Sequence, residues 1–116
     1  LSKIKNIKKS IMKIINLNPY INIIVSNADK KTWGYETSNF ISCKPANIKP
    51  VNENGAGDVM TGTYIYYRSK DYKMNSALSL AVAAGTLYAK SKKRKINLNY
   101  KSIKKINNNI IFKSEK

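Results

Sequence analysis

Residues 51–62 read VNENGAGDVMTG, Val51 to Gly62, in a chain otherwise crowded with lysine, isoleucine and asparagine. Two glycines flank Ala56, Asp58 follows at once, and an apolar stretch begins behind it. Without a Cβ, Gly55 and Gly57 let the backbone approach a ligand closely. At the first turn of a helix their N–H groups lack intrahelical acceptors, and the helix dipole adds partial positive charge. That combination is an anion site. Neither G-x-x-x-x-G-K-[ST] nor G-x-G-x-x-G occurs, which excludes two common phosphate loops. An acid beside an anion site repels phosphate, so Asp58 needs another reason to be there. A general base supplies one, taking a proton from an attacking hydroxyl while the amides hold developing negative charge. The alternative is structural: Asn54 caps the helix, the glycines turn the chain, and Asp58 favours the helix N-terminus. The residues alone leave both open.

Outward from this stretch the chain alternates in period. Ile4, Ile7, Ile11, Ile14 and Ile15 fall three and four apart with lysines between them, which predicts an amphipathic helix ending near Asn16 to Pro19. Tyr20 to Ser26, YINIIVS, has strand length and enough apolar residues for an interior strand. NADKK reads as a turn, TWGYE as a second strand and NFISCK as a third, and Pro45 and Pro50 bracket an extended connector. Behind Asp58, the spacing predicts a helix from the glycines to about Lys70. Ser76 to Ala89, SALSLAVAAGTLYA, is apolar nearly all round and predicts a buried helix ended by the basic run Lys90 to Lys95. Tyr100 to Ile106 reads as a last helix, and NIIF as a terminal strand or a docked tail. Helices and strands in this order predict an α/β layer structure.

Composition narrows the chemistry. The 116 residues include one cysteine and no histidine, so an intrachain disulfide, the common zinc and iron–sulfur sites and a histidine-based nucleophile system are excluded. Catalysis here rests on carboxylates, lysines, hydroxyls and backbone amides. A lone cysteine, no apolar run of the roughly 20 residues a membrane span needs, and no signal peptide predict a cytoplasmic protein without a membrane partner. The chain opens on Leu1 rather than methionine, and we expect it to continue a longer polypeptide on its N-terminal side. Twenty-two basic against 6 acidic residues give a net charge of +16, which raises affinity for any polyanion. The lysines are spread evenly, Arg68 and Arg94 are the sole arginines, and no nucleic-acid motif is present, so compositional drift explains the charge better than a nucleic-acid surface. Trp33, Tyr35 and Phe40 are candidates to stack on a base or to fill a core, and of Tyr64, Tyr66 and Tyr67 at least one must pack.

NENGAGDVMTG resembles the C-terminal signature of the PfkB (ribokinase-like) family of carbohydrate and nucleoside kinases, matching at Asn52, Gly55, Ala56, Gly57, Asp58 and Gly62. The small-residue helix behind it agrees with the resemblance, which runs from about Ile21 to Lys101. The resemblance implies the C-terminal part of a three-layer α/β/α fold, residues 1–116 lacking an N-terminal portion, and hence a chain inactive on its own. It implies an anion hole of Gly55, Ala56 and Gly57, Asp58 as catalytic base, and nucleotide contacts at Ser26, Ala28 and Gly57. Ala28 stands where the family has glycine, and Glu53 and Thr63 also depart from the pattern. It further implies ATP and Mg²⁺ as cofactors, a sugar or nucleoside as acceptor, and a homodimer of the full-length enzyme. Asn52, Ser91, Ile96 and Ser102 look most like the pattern of pseudouridine kinases. The competing expectation is a basic module that binds nucleotides or nucleic acid without turnover, whose affinity falls steeply with salt.

Overall fold

Two β-rich runs separated by two residues form the clearest local unit. Thr32–Glu36 (β2) and Asn39–Lys44 (β3) pair antiparallel from Glu36 opposite Asn39 to Thr32 opposite Cys43. Thr37 and Ser38 between them both have positive φ, 43° and 65°, the backbone of a tight hairpin whose twist matches its strands. The hydroxyl of Tyr35 accepts the Ser38 N–H at 3.1 Å and steadies this turn.

The computed structural model describes residues 2–26, 31–44, 55–91, 99–107 and 111–115. Ser2–Leu17 forms α1 and Ile23–Val25 forms β1, ahead of the hairpin. Behind it come α2 (Ala56–Ser69), α3 (Met74–Lys90), α4 (Tyr100–Asn107) and β4 (Ile111–Glu115). The sheet runs β1-β2-β3-β4, with every neighbouring pair antiparallel. The NADKK turn (but for Lys31) and the connector from Pro45 to Asn54 lie outside the described residues.

Most predicted elements are present, with two corrections. The interior strand expected over Tyr20–Ser26 is three residues long, half-buried, and stands at the end of the described sheet; Tyr20 is exposed. Of NIIF, Ile111 and Phe112 lie in β4, which pairs with β3, while residues 109 and 110 lie outside the described residues. In α1, Ile11 and Ile15 are buried, Ile7 is half-buried and Ile14 is exposed, so Ile14 leaves the expected stripe.

Helix α3 is the centre of the core. Ala77, Leu78, Ala81, Val82, Ala83 and Ala84 are all buried, as a helix apolar on every face must be. It packs against α2, against α4 and against β2 and β3. The approach to the sheet is close at Gly34: a Cβ there would sit 2.9 Å from Leu78 Cδ2. Helix α2 turns Met60, Tyr64 and Tyr67 inward at spacings of four and three, and α4 does the same with Ile103 and Ile106. An ion pair of Arg68 with Glu36 links α2 to β2; both side chains are part-exposed, so it contributes at most about 1 kcal/mol. Among the described residues no helix is long and apolar enough to cross a membrane.

Candidate active site

The Gly-Ala-Gly-Asp stretch forms the N-cap and first turn of α2. Gly55 is the N-cap, with φ of 91° and ψ of −6°, a left-handed conformation that costs an L side chain about 1–2 kcal/mol. The helix proper starts at Ala56, and its first i to i−4 bond runs from the Val59 N–H to the Gly55 carbonyl at 2.9 Å. By helix geometry the N–H groups of Gly55, Ala56, Gly57 and Asp58 therefore have no intrahelical acceptor. The N-cap residue, Gly55, brings no side chain to cap them. The structural alternative gave that task to Asn54, which lies outside the described residues, while the N-cap position itself is held by a glycine with nothing to cap with.

The residues that carry these amides are largely exposed. Gly55, Gly57 and Asp58 are exposed and Ala56 is half-buried. Asp58 is the acid of this first turn, three residues inside the N-cap, where the helix dipole favours a carboxylate. The two glycines differ in kind. At Gly55 a Cβ would face both the left-handed φ and the hydroxyl of Tyr88, 3.2 Å away. At Gly57 a Cβ would meet nothing within 4 Å. The fold requires the first glycine and not the second.

The first turn is held from behind by α3. A Cβ on Gly85 would lie 3.2 Å from the Ala56 carbonyl oxygen, so the two helices meet there almost backbone to backbone. Tyr88, one turn further along α3, reaches Gly55. Neither residue stands out in the sequence, where Ser76–Ala89 reads as one small-residue packing helix; the tyrosine inside that run was the available signal.

The structure thus brings Gly55, Ala56, Gly57 and Asp58 together in one exposed turn. Ser26 is exposed and directly follows β1, and among the described residues no hydrogen bond joins it to α2; Ala28 lies outside the described residues. Gly62 lines a separate cavity of about 650 Å³ between the later turns of α2 and α4, floored by Tyr67 and Ile103; none of residues 55–58 lines it. Among the described residues no three acid, histidine or cysteine side chains group as a metal site. The aromatic residues weighed for base stacking are packing residues. Trp33 is buried with its ring 5.6 Å from that of Phe40, and Tyr35 stands 6.4 Å from Phe40 on the other side. Tyr64 and Tyr67 are buried while Tyr66 is exposed, as three tyrosines around one helix require.

Against known proteins, a model of the pfkB family carbohydrate kinases matches residues 1–99. No curated protein sequence matches the chain. Solved structures do. Phosphofructokinase-2 from Escherichia coli in complex with potassium superposes with a TM-score of 0.77 at 22% identity, covering 88% of this chain and 33% of that one. The tetrameric inhibited form of the same enzyme gives 0.72 at 22% identity, with 88% and 32% covered. A carbohydrate kinase from Agrobacterium tumefaciens gives 0.59 at 16% identity, with 78% and 31% covered. At these identities the likeness is one of fold, and the chain spans about a third of the length of the structures it matches.

Proposed function

The chain belongs to the pfkB family of carbohydrate kinases, and from that premise we propose that Gly55 to Asp58 form the phosphoryl-transfer site of an ATP-dependent sugar or nucleoside kinase. The observation that carries this reading is an exposed first turn whose N-cap has no side chain and which holds a glycine, Gly57, that no described residue crowds. Glycine at a helical position costs about 0.5–1 kcal/mol relative to alanine. A ligand that needs the space explains the retention of that cost.

The acceptor hydroxyl oxygen attacks the γ-phosphorus of ATP. Its bond to phosphorus forms as the bond from phosphorus to the β–γ bridging oxygen breaks, and ADP leaves with that electron pair. The hydroxyl proton passes to the Asp58 carboxylate. The amides of the first turn hold the phosphoryl oxygens as charge develops, in a reaction that asks the protein chiefly for positioning and charge stabilisation. Mg²⁺ supplies charge neutralisation on the phosphates when bound. Asn52, Ser91, Ile96 and Ser102 favour a pseudouridine-like nucleoside as acceptor, while family membership alone supports a sugar. Self-association, read here as a homodimer of the full-length protein, belongs to the same reading. On this reading the acceptor grip lies largely outside this chain, which covers 33% of the matched phosphofructokinase-2.

The test is Asp58→Asn in the full-length protein that carries this chain. The change keeps side-chain size and removes the proton acceptor, so kcat falls about 10²- to 10⁴-fold while ATP affinity holds. Wild-type turnover in the Asp58→Asn variant leaves Asp58 as a favourable charge at a helix end, worth a few tenths to about 1 kcal/mol and no more.

A further inference from the structure

Backbone amides supply the anion site on the α2 side; α3 closes it from the other. Gly85 and Tyr88 are three apart and so share a face of α3. Gly85 meets the Ala56 carbonyl, and this contact sets the height at which Tyr88 passes the first turn of α2. The phenol end of Tyr88 then lies against Gly55. Its oxygen is the nearest atom to the position a Gly55 Cβ would take, at 3.2 Å, with Cζ at 3.5 Å and Cε1 at 3.6 Å. Among Ala84, Gly85, Thr86, Leu87 and Ala89 on α3, Tyr88 is the side chain that lies against Gly55. It is half-buried, which holds the ring while leaving its tip beside an exposed turn. Of the ring atoms it is the hydroxyl that comes nearest to Gly55.

We propose that Tyr88 donates its phenolic O–H to an oxygen of the phosphoryl group held at the first turn of α2, adding a side-chain donor to the backbone amides. The inference rests on the phosphoryl-transfer reading of that turn. A tyrosine hydroxyl suits the place because it is a neutral donor and leaves the proton-accepting charge of Asp58 unopposed. It also gives Gly55 a second reason to be glycine: a Cβ would stand 3.2 Å from the hydroxyl and crowd it.

The experiment compares the full-length protein with its Tyr88→Phe and Tyr88→Leu variants, reading ADP release from ATP with and without a panel of sugars and nucleosides, beside Tm. Tyr88→Phe keeps the ring and removes one oxygen, so we expect kcat to drop about 10- to 100-fold at unchanged Tm. Tyr88→Leu loses the ring as well, and its Tm falls. Phe therefore restores stability without restoring turnover, a split that a packing role cannot produce. Acceptor-dependent ADP release by the unaltered protein, with Tyr88→Phe equally fast, overturns the assignment of Tyr88 and leaves the kinase reading standing. Loss of Tm in Tyr88→Phe in proportion to its loss of activity overturns it too, because that marks a structural residue. No acceptor-dependent ADP release from the unaltered protein overturns the kinase reading and Tyr88's role with it.

Discussion

Replacing Gly57 by alanine should make the protein more stable and less active. The stability half follows from the structure of the free chain. Gly57 is the second residue of α2, exposed, and a Cβ there meets no atom within 4 Å. Alanine then loses no contact and gains helix propensity, and it narrows the unfolded ensemble; together these give about 0.5–1 kcal/mol. The activity half follows from where the methyl group goes. A phosphoryl oxygen bound by the first-turn amides must come within about 2.7–3.1 Å of their nitrogens. A Cβ on Gly57 occupies part of that space and displaces the oxygen from at least one donor, a loss typically worth about 10²- to 10³-fold in kcat. Urea unfolding and steady-state kinetics on the full-length Gly57→Ala protein measure both halves. A lowered urea midpoint refutes the claim that the site is open. A raised midpoint with unchanged kcat refutes the claim that a ligand uses the opening. Gly55→Ala is the control of opposite sign. With φ of 91° and Tyr88 at 3.2 Å, it should cost about 1–3 kcal/mol as well as activity.

Three further outcomes are expected. Gly34→Ala forces a Cβ to within 2.9 Å of Leu78 Cδ2 and should destabilise by about 1–3 kcal/mol, measured by urea unfolding; Leu78→Ala in the same protein should recover part of the loss relative to its own single variant. Cys43 is buried, and burial pushes its thiol from an ordinary 9.0 up to about 12. Folding therefore favours the neutral thiol: this stability is fully present below about pH 9 and is lost as pH rises towards about 12, at up to about 1.4 kcal/mol per unit. Iodoacetamide should accordingly leave Cys43 untouched in the folded protein at neutral pH and label it on unfolding. Removing Arg68 with Arg68→Met should cost about 1 kcal/mol or less by thermal unfolding, since its pair with Glu36 is part-exposed.

How much of this was legible in the sequence depends on how local each feature is. β2 and β3 match TWGYE and NFISCK residue for residue, because alternation and β-branched content are properties of the strands themselves. Their turn was legible only by its length. Thr37 and Ser38 take positive φ without the Asn-Gly pair that usually announces it, so the pull of the paired strands sets that backbone. The length of β1 was not legible, since a half-buried run looks the same to a periodicity reading wherever it stands in a sheet. At the site, the first turn of α2 could be read from Gly-Ala-Gly-Asp because cap and helix start are local. The contribution of α3 could not. Gly85 and Tyr88 meet Ala56 and Gly55 across about thirty residues of chain, and only the crossing of two helices makes them neighbours.

The distribution of charge along the chain bears on what Asp58 is for. If an acid at a helix start were only a dipole partner, every helix here would gain from one by the same few tenths of a kcal/mol. The first turns of α1, α3 and α4 carry none, in a protein with 6 acids against 22 bases. The helix that keeps an acid is the one whose first turn is exposed, whose N-cap is a glycine with no side chain to cap with, and which holds a second glycine, Gly57, that no described residue crowds. Each of those features alone has a structural explanation. Their coincidence on four consecutive residues does not, because an N-cap without a side chain and an uncrowded glycine both cost stability while the acid returns only part of it. The phosphoryl-transfer reading proposed above removes the discrepancy: on it a bound phosphoryl group supplies acceptors for the amides and fills the space over Gly57, and the attacking hydroxyl gives the carboxylate a proton to take.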